Sequence, residues 1–461
     1  MSIIRAFVLP HPPLAIPTIG RGREEEIKDT LTAMTSVARE IAGICPDTIV
    51  FLTPHGTAYA DYIHISPGAG AVGDLSQFGC AKERFSLNYD QELVAAIVAS
   101  AEKDGIPAGT MGERNAALDH GVTVPMWYIN QQYRDYQAVR IASAGLEREY
   151  YYRLGQSITQ AAQQLKRRVV VVASGDLSHK LTTDAPYGYE PEALVFDTAI
   201  TDVMASGDFG KLLALPEDLR EKAGECGYCP LLIMAGLFDR TLVEVKLLSY
   251  EGPFGVGYAV ADVKPLESDE KRNFLDRYMQ EILQKARDLQ QNEDIYRTLA
   301  RKSLEYTIKN KKALPLPNGL PDELLLKQAG AFVTLYKHGS LRGCIGTIMP
   351  VTDCLAQEII RNAVSAGLHD TRFDQITAAE LPYLVYSVDV LGQPEEISGL
   401  DQLDVKRYGV IVTSGNKRGL LLPNLDGIDT VEEQVAIARR KGGIGEKDKV
   451  VLERFEVTRY C

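Results

Sequence analysis

Three separate apolar runs in this chain each stop at a histidine, and that repeated layout restricts the fold more than any other feature. Val169 to Ala173 lead into Ser174-Gly175-Asp176-Leu177-Ser178-His179, Ile3 to Leu9 into Pro10-His11-Pro12-Pro13, and Thr48 to Leu52 into Pro54-His55-Gly56. Short runs rich in Val and Ile, bounded by turn residues, are the pattern of interior parallel strands buried on both faces. In open α/β sheets ligands gather outside the carboxyl ends of the strands. A single histidine there reads as a hydrogen-bonded turn residue. Three of the chain's seven histidines in equivalent places point to one shared site.

The intervening segments fit the same scheme. Arg23 to Ala42 carries Ile27, Leu31, Met34, Val37 and Ile41 at helical spacing, which makes a strand–helix–strand opening. Further helices are expected around Leu93 to Ala101, Glu147 to Leu165 and Glu192 to Ala205, and a strand at Tyr136 to Ala142. Leu242 to Tyr250 and Val256 to Val263 flank Glu251-Gly252-Pro253 and predict a closing β pair. A chain of 461 residues exceeds the size of a single core. The expected division is a first domain at 1–264, a charged helical connector at 265–291 and a second domain at 292–461. Strands at Ala331 to Tyr336, Leu384 to Leu391, Gly409 to Thr413 and Val450 to Val457, with helices at Asp353 to Ala366 and Thr430 to Arg440, make the second unit mixed. The fold class is therefore an α/β N-terminal domain with a largely parallel sheet, plus a second α+β domain.

Net charge of -12 argues against a general nucleic-acid surface. No apolar run approaches the roughly 18 residues of a membrane span, so a cytoplasmic protein is expected. Seven cysteines, an odd number and mostly scattered, fit reduced thiols.

Two more stretches carry groups suited to the shared site. Asp119-His120-Gly121 precedes an apolar segment, and Glu225-Cys226-Gly227-Tyr228-Cys229-Pro230 opens the apolar run Leu231 to Leu237, a helix with Pro230 in its first turn. A carboxylate or thiolate at that point meets the positive end of the helix. Two imidazoles and one carboxylate on one face make the triad of non-haem Fe(II) oxygenases, and His11, His55 and Glu225 supply such a set. The same donors would also hold Mn(II) or Zn(II). His179 and His120 then remain free to move protons. Asp119 and Asp176 are expected to cap their turns rather than orient those rings, the alternative role, and Cys226 with Cys229 lacks the second cysteine pair of a zinc ribbon.

Taken together, the four histidine motifs resemble the class III extradiol ring-cleavage dioxygenases, the superfamily of the protocatechuate dioxygenase catalytic subunit. The resemblance covers the first domain. It implies an iron held by His11 and His55, with Glu225 where the family's glutamate ligand is expected, His179 as the acid/base residue and His120 close to the substrate. A catechol-like or other small molecule and dioxygen would be the reactants. Cys226-Gly227 also resembles the related Memo family, in which a cysteine takes part in the site, so Cys226 is the alternative ligand. On that reading the protein is a metal-binding redox or scaffold protein without ring cleavage.

The second domain resembles the AMMECR family through Leu341-Arg342-Gly343-Cys344-Ile345-Gly346, Asp370-Thr371-Arg372-Phe373 and Gly419-Leu420-Leu421-Leu422-Pro423. Fusion of the two modules resembles the AmmeMemoRadiSam system, which implies a radical SAM partner. In a third reading the AMMECR-type module is the working part and the first domain supports it. Cys344 and Arg342 are the second-domain candidates; from its glycine-flanked setting Cys344 reads as a small buried thiol. The residues do not disclose an oligomeric state; related catalytic subunits often pair, so the resemblance leaves a homo-oligomer open.

Overall fold

The computed structural model describes residues 2–113, 115–425 and 427–461. The chain divides into two compact units, 1–278 and 279–461. The last strand of the first unit runs on past Lys264 to Ser268, and the helix Phe274–Gln291 contains the division.

In the first unit a six-stranded sheet has the spatial order Gln137–Ala142, Thr48–Thr53, Val169–Ser174, Ile3–Leu9, Tyr258–Ser268, Thr241–Glu251. The first four strands are mutually parallel, and the last two form an antiparallel pair against them. Val169–Ser174 and Thr48–Thr53 are buried at every residue, which is why they read as unbroken apolar runs rather than as alternation. Helices Lys28–Ile44 and His120–Ile129 bury Met34, Val37, Ile41, Val122 and Val124 with Phe7, Phe51, Val170 and Val172 of the sheet. Arg148–Leu165 packs closely on Tyr228–Leu237, and glycines make the closeness: a Cβ on Gly236 would lie 1.8 Å from the Tyr152 carbonyl oxygen.

One feature lies outside the sequence reading. Between the Thr48–Thr53 strand and the helix Gln91–Lys103, the strands Gly70–Leu75 and Cys80–Asn88 form a hairpin, and Ile63–His64 pairs with Ala108–Gly109. Glycines at 68, 70, 73 and 79 interrupt the apolar alternation that would have announced these strands.

The second unit is built on an antiparallel sheet in the order Ser340–Gly346, Ala331–Lys337, Leu384–Leu391, Val451–Tyr460, Tyr408–Ser414, Lys417–Leu421. Helices Ile295–Asn310 and Leu355–Leu368 bury Leu299, Leu304, Ile359 and Ala363 against Val333, Leu335 and Val388. Helix Val431–Lys441 closes a smaller core with Val410, Val412 and Leu421. Among the described residues no helix is long and apolar enough to cross a membrane.

Candidate metal and proton-transfer site

His11 and His55 stand just beyond the ends of the two strands that flank Val169–Ser174, and their Nε2 atoms face each other at 3.0 Å. The Nδ1 of His11 is 2.9 Å from the Ser174 hydroxyl at the tip of the central strand, and donation from Nδ1–H to that hydroxyl would leave the Nε2 lone pair facing the site. Asp176 accepts the His11 amide at 2.8 Å and fixes the start of the same loop. The Cys226 thiol lies 3.6 Å from His11 Nε2. Ligand atoms of His11, His55 and Cys226 all fall within 4.8 Å of one another.

Histidine 120, at the start of its helix, stacks on His55 with ring centroids 4.2 Å apart and 21° between planes, and Phe78 meets its ring edge-on at 5.3 Å. His179 follows the central strand, anchored by its amide to the Ala223 carbonyl at 3.0 Å, and its ring is 6.0 Å from that of Tyr187. It is close enough that a charge on it would depress both His11 and His55. The four histidines drawn from four separate sequence motifs therefore converge on one place.

Their charge states follow from their surroundings. Burial, with His55, His120 and His179 nearby, holds His11 well below the ordinary imidazole value. Desolvation by neighbouring side chains brings His55 and His120 down to about 4, and burial lowers His179 as well. All four are neutral at pH 7, with lone pairs free to bind a cation or accept a proton. Burial, with Asp176 next to it, pushes the Cys226 thiol well up. Two imidazole nitrogens and a thiol sulfur thus face one another in a desolvated pocket. The donor set fits a transition metal with affinity for nitrogen and sulfur, and binding would take the thiol proton.

Glu225 does not join this group. One carboxylate oxygen is held by Arg220 at 3.2 and 3.3 Å, and the other accepts the Tyr228 amide at 2.7 Å. The guanidinium and the opening turn of the helix Tyr228–Leu237 thus engage both carboxylate oxygens, and of the two expected third ligands it is the alternative, Cys226, that stands beside the imidazoles. Asp119 and Asp176 also differ from expectation. Neither caps its own turn: Asp119 accepts the Thr53 hydroxyl at 2.6 Å, and Asp176 accepts the His11 amide, each tying its turn to another strand end.

Arg140 was missed. It is fully buried in the strand Gln137–Ala142 and donates to the Ser66 hydroxyl at 2.6 Å and to the Ala117 and Asn115 carbonyls at 2.7 and 3.4 Å. It thereby pins the segment that leads to His120. An arginine within an otherwise apolar strand was the signal available. A cleft of about 1130 Å³ opens on His55 and His120; the hairpin supplies one wall through Asp74, Arg84 and Phe85, and Asn115 to Asp119 supply another.

In the second unit Cys344 lies in the strand Ser340–Gly346, its sulfur 3.2 Å from the Thr334 hydroxyl and its amide donating to Asp370 at 2.9 Å. Burial pushes its thiol up, so it is not a thiolate at neutral pH. Arg342 is engaged by Glu380 at 2.9 and 3.3 Å and by the Asp374 carbonyl.

Residues 5–261 match the family model of the catalytic LigB subunit of aromatic ring-opening dioxygenase. The chain belongs to this family. The LigB match spans the six-stranded sheet and all four histidines, and residues 297–460 match AMMECR1. A protein of Clostridium acetobutylicum is 39% identical over 469 residues, covering 100% of this chain and 99% of its own length, so it shares the fusion. A Thermotoga maritima protein is 48% identical over 34% of this chain and 91% of its own. A crystal structure of a protein from Pyrococcus horikoshii is 31% identical, covering 36% of this chain and 89% of that one, with a TM-score of 0.34.

Replacing Ser174 by alanine is expected to weaken metal binding by roughly 10–100-fold, the usual effect of losing an outer-shell partner. Threonine at the same position should restore most of it. Competitive titration against a chelator reads both, and an unchanged affinity in Ser174→Ala would remove the hydroxyl from this role.

Proposed function

We propose that the first unit is a metal-dependent oxidoreductase of the ring-opening dioxygenase type, holding one divalent transition metal, Fe(II) foremost, on His11, His55 and Cys226. The observation that carries this reading is the convergence of those three donor atoms within 4.8 Å at the strand ends. Such an ion supplies Lewis acidity and a redox-active centre at which a diol and dioxygen can meet.

The chain's own residues do the rest. A small molecule entering the cleft meets His120 and His55 first. His120, stacked on His55 and lining the cleft, is placed to hydrogen-bond a hydroxyl of that molecule. His179, just past the central strand, carries the acid/base role that the family resemblance implies. Arg140 keeps the Asn115–Asp119 segment, and so the cleft wall, in place. The cleft is larger than one aromatic ring requires and is lined by Thr57, Ser76, Gln77, Arg84 and Asn115, which favours a polar substrate with more than a bare catechol ring.

The thiol in the donor set favours a second reading, a metal-binding redox protein that does not open rings. Anaerobic Fe(II) loading followed by nitric oxide tests the site. Wild type is expected to give the high-spin iron–nitrosyl EPR signal, and His11→Ala to lose it. No signal, or one indifferent to His11, would remove the iron site. Oxygen uptake with a catechol series then separates the two readings.

A further inference from the structure

Asp197 is fully buried in the helix Pro191–Ser206, where one carboxylate oxygen accepts the Ser178 amide at 2.8 Å and the other accepts the Tyr250 hydroxyl at 2.7 Å. A buried charge is costly unless hydrogen bonds replace its hydration. Burial pushes the Asp197 carboxyl above its ordinary value, and the two donors draw it back. Its place, one peptide away from His179, gives a reason for keeping a carboxylate there. We propose that Asp197 is the positioning residue for His179, acting through the peptide that joins Leu177 to Ser178. The inference rests on the acid/base role given to His179 above.

Histidines that move protons are commonly oriented by a carboxylate on the second ring nitrogen. His179 is arranged differently. Among the described residues no side chain hydrogen-bonds its Nδ1, which is shielded from solvent, and the groups that favour the protonated ring are the Leu177 and Gly224 carbonyls. The Leu177 carbonyl and the Ser178 amide belong to one planar peptide unit. By holding the amide, the Asp197 carboxylate fixes the plane that carries the carbonyl; by polarising the peptide, it makes that carbonyl a stronger acceptor.

The rest of the segment is anchored by backbone alone. The Leu177 amide donates to the Gly257 carbonyl at 2.8 Å, the Gly257 amide to the Ser178 carbonyl at 2.9 Å, and the His179 amide to the Ala223 carbonyl at 3.0 Å. Gly257 reaches this position because it has no side chain: a Cβ there would run into the Asp197 carboxylate. Asp197 is the charged member of this set of anchors. Its removal therefore changes the electrostatics at the ring as well as the anchorage.

The titratable groups around the ring are His11 and His55 across the site and Tyr187 in the loop that follows. None is altered in the test, a pH titration of the His179 ring by NMR in the full chain, with isotope-labelled histidine and Zn(II) in the site. Loss of the signal in His179→Gln assigns it. Asp197→Asn keeps an oxygen for the Ser178 amide but removes the charge, and should weaken proton binding by His179 about threefold or more while leaving one sharp signal. Asp197→Ala removes the anchor too and should weaken it further, with the signal broadened or split. A role confined to the fold would lower Tm in both variants and leave the His179 titration as in wild type, and that result would overturn the proposal. The ring reports on itself, so failure to open any catechol, with the titration displaced as expected, would count against ring cleavage alone.

Discussion

Alanine at Cys226 is expected to lower metal affinity by more than about 100-fold, beyond the loss of an outer-shell partner, while thermal stability changes little. Glutamine at Glu225 should do the reverse. Its carboxylate is the counter-ion of Arg220, and both side chains are largely buried, at 7% and 22% exposure. Removing one charge of such a pair leaves the other poorly solvated, at a cost of roughly 2–4 kcal/mol; the Tyr228 amide keeps an acceptor in the glutamine. The two neighbours thus separate metal binding from stability. Proton release gives a second readout. The Cys226 thiol is held above its ordinary value by burial and by Asp176, so it is protonated at pH 7 and must lose that proton to bind a metal. Metal uptake by wild type should therefore release about one proton more than uptake by Cys226→Ala, and wild-type affinity should rise with pH. Chelator competition, calorimetry in buffers of different ionisation enthalpy and thermal unfolding measure all of this. Loss of metal in Glu225→Gln with retention in Cys226→Ala would reverse the assignment.

That pair of residues marks the limit of what the sequence discloses. The parallel strands are legible because Val169 to Ala173 and Thr48 to Leu52 are apolar without interruption, and burial on both faces demands that. The histidines are legible because ligand sites lie past the carboxyl ends of such strands. Whether Glu225 or Cys226 turns inward is a different kind of question. Adjacent residues on a tight turn point in different directions, and the turn's path is set by what it touches, here the Ser174–Asp176 strand end. A helix begins after this turn, and the Glu225 carboxylate sits at its positive end, where it accepts the Tyr228 amide. The hairpin that walls the cleft was hidden for a local reason. Its glycines suit close backbone approach, as at Gly70 against the Leu87 carbonyl, and so dilute the pattern that reveals a strand.

Gly175→Ala should injure both the fold and the site, because one contact joins them. A Cβ built on Gly175 would lie 2.2 Å from the Gly227 Cα and 3.1 Å from its nitrogen, so backbone meets backbone with no side chain to yield. Gly227 has φ of -87°, open to any residue, so the demand for glycine here is contact rather than backbone strain. The contact brings the Cys226 amide to within 3.4 Å of the Asp176 carbonyl and lets the Asp176 amide reach the Cys226 sulfur at 3.3 Å. A methyl group at Gly175 must push the turn outward, carrying the thiol from His11 and His55. The expected cost is about 1–3 kcal/mol of stability from overpacking, a fall in Tm of about 2–4 °C for each kcal/mol in a unit of this size. Metal affinity should drop at least about tenfold, since a ligand displaced by an ångström or more no longer meets the others. Gly227→Ala supplies the graded control. Its Cβ would meet the Asp176 carbonyl oxygen at 3.0 Å and the Gly175 backbone at 3.4 Å, contacts that a small shift relieves. The order wild type, Gly227→Ala, Gly175→Ala should therefore appear in both Tm and metal affinity. If Gly175→Ala lost stability but bound metal as wild type does, the turn would be shown to hold the fold without positioning the thiol.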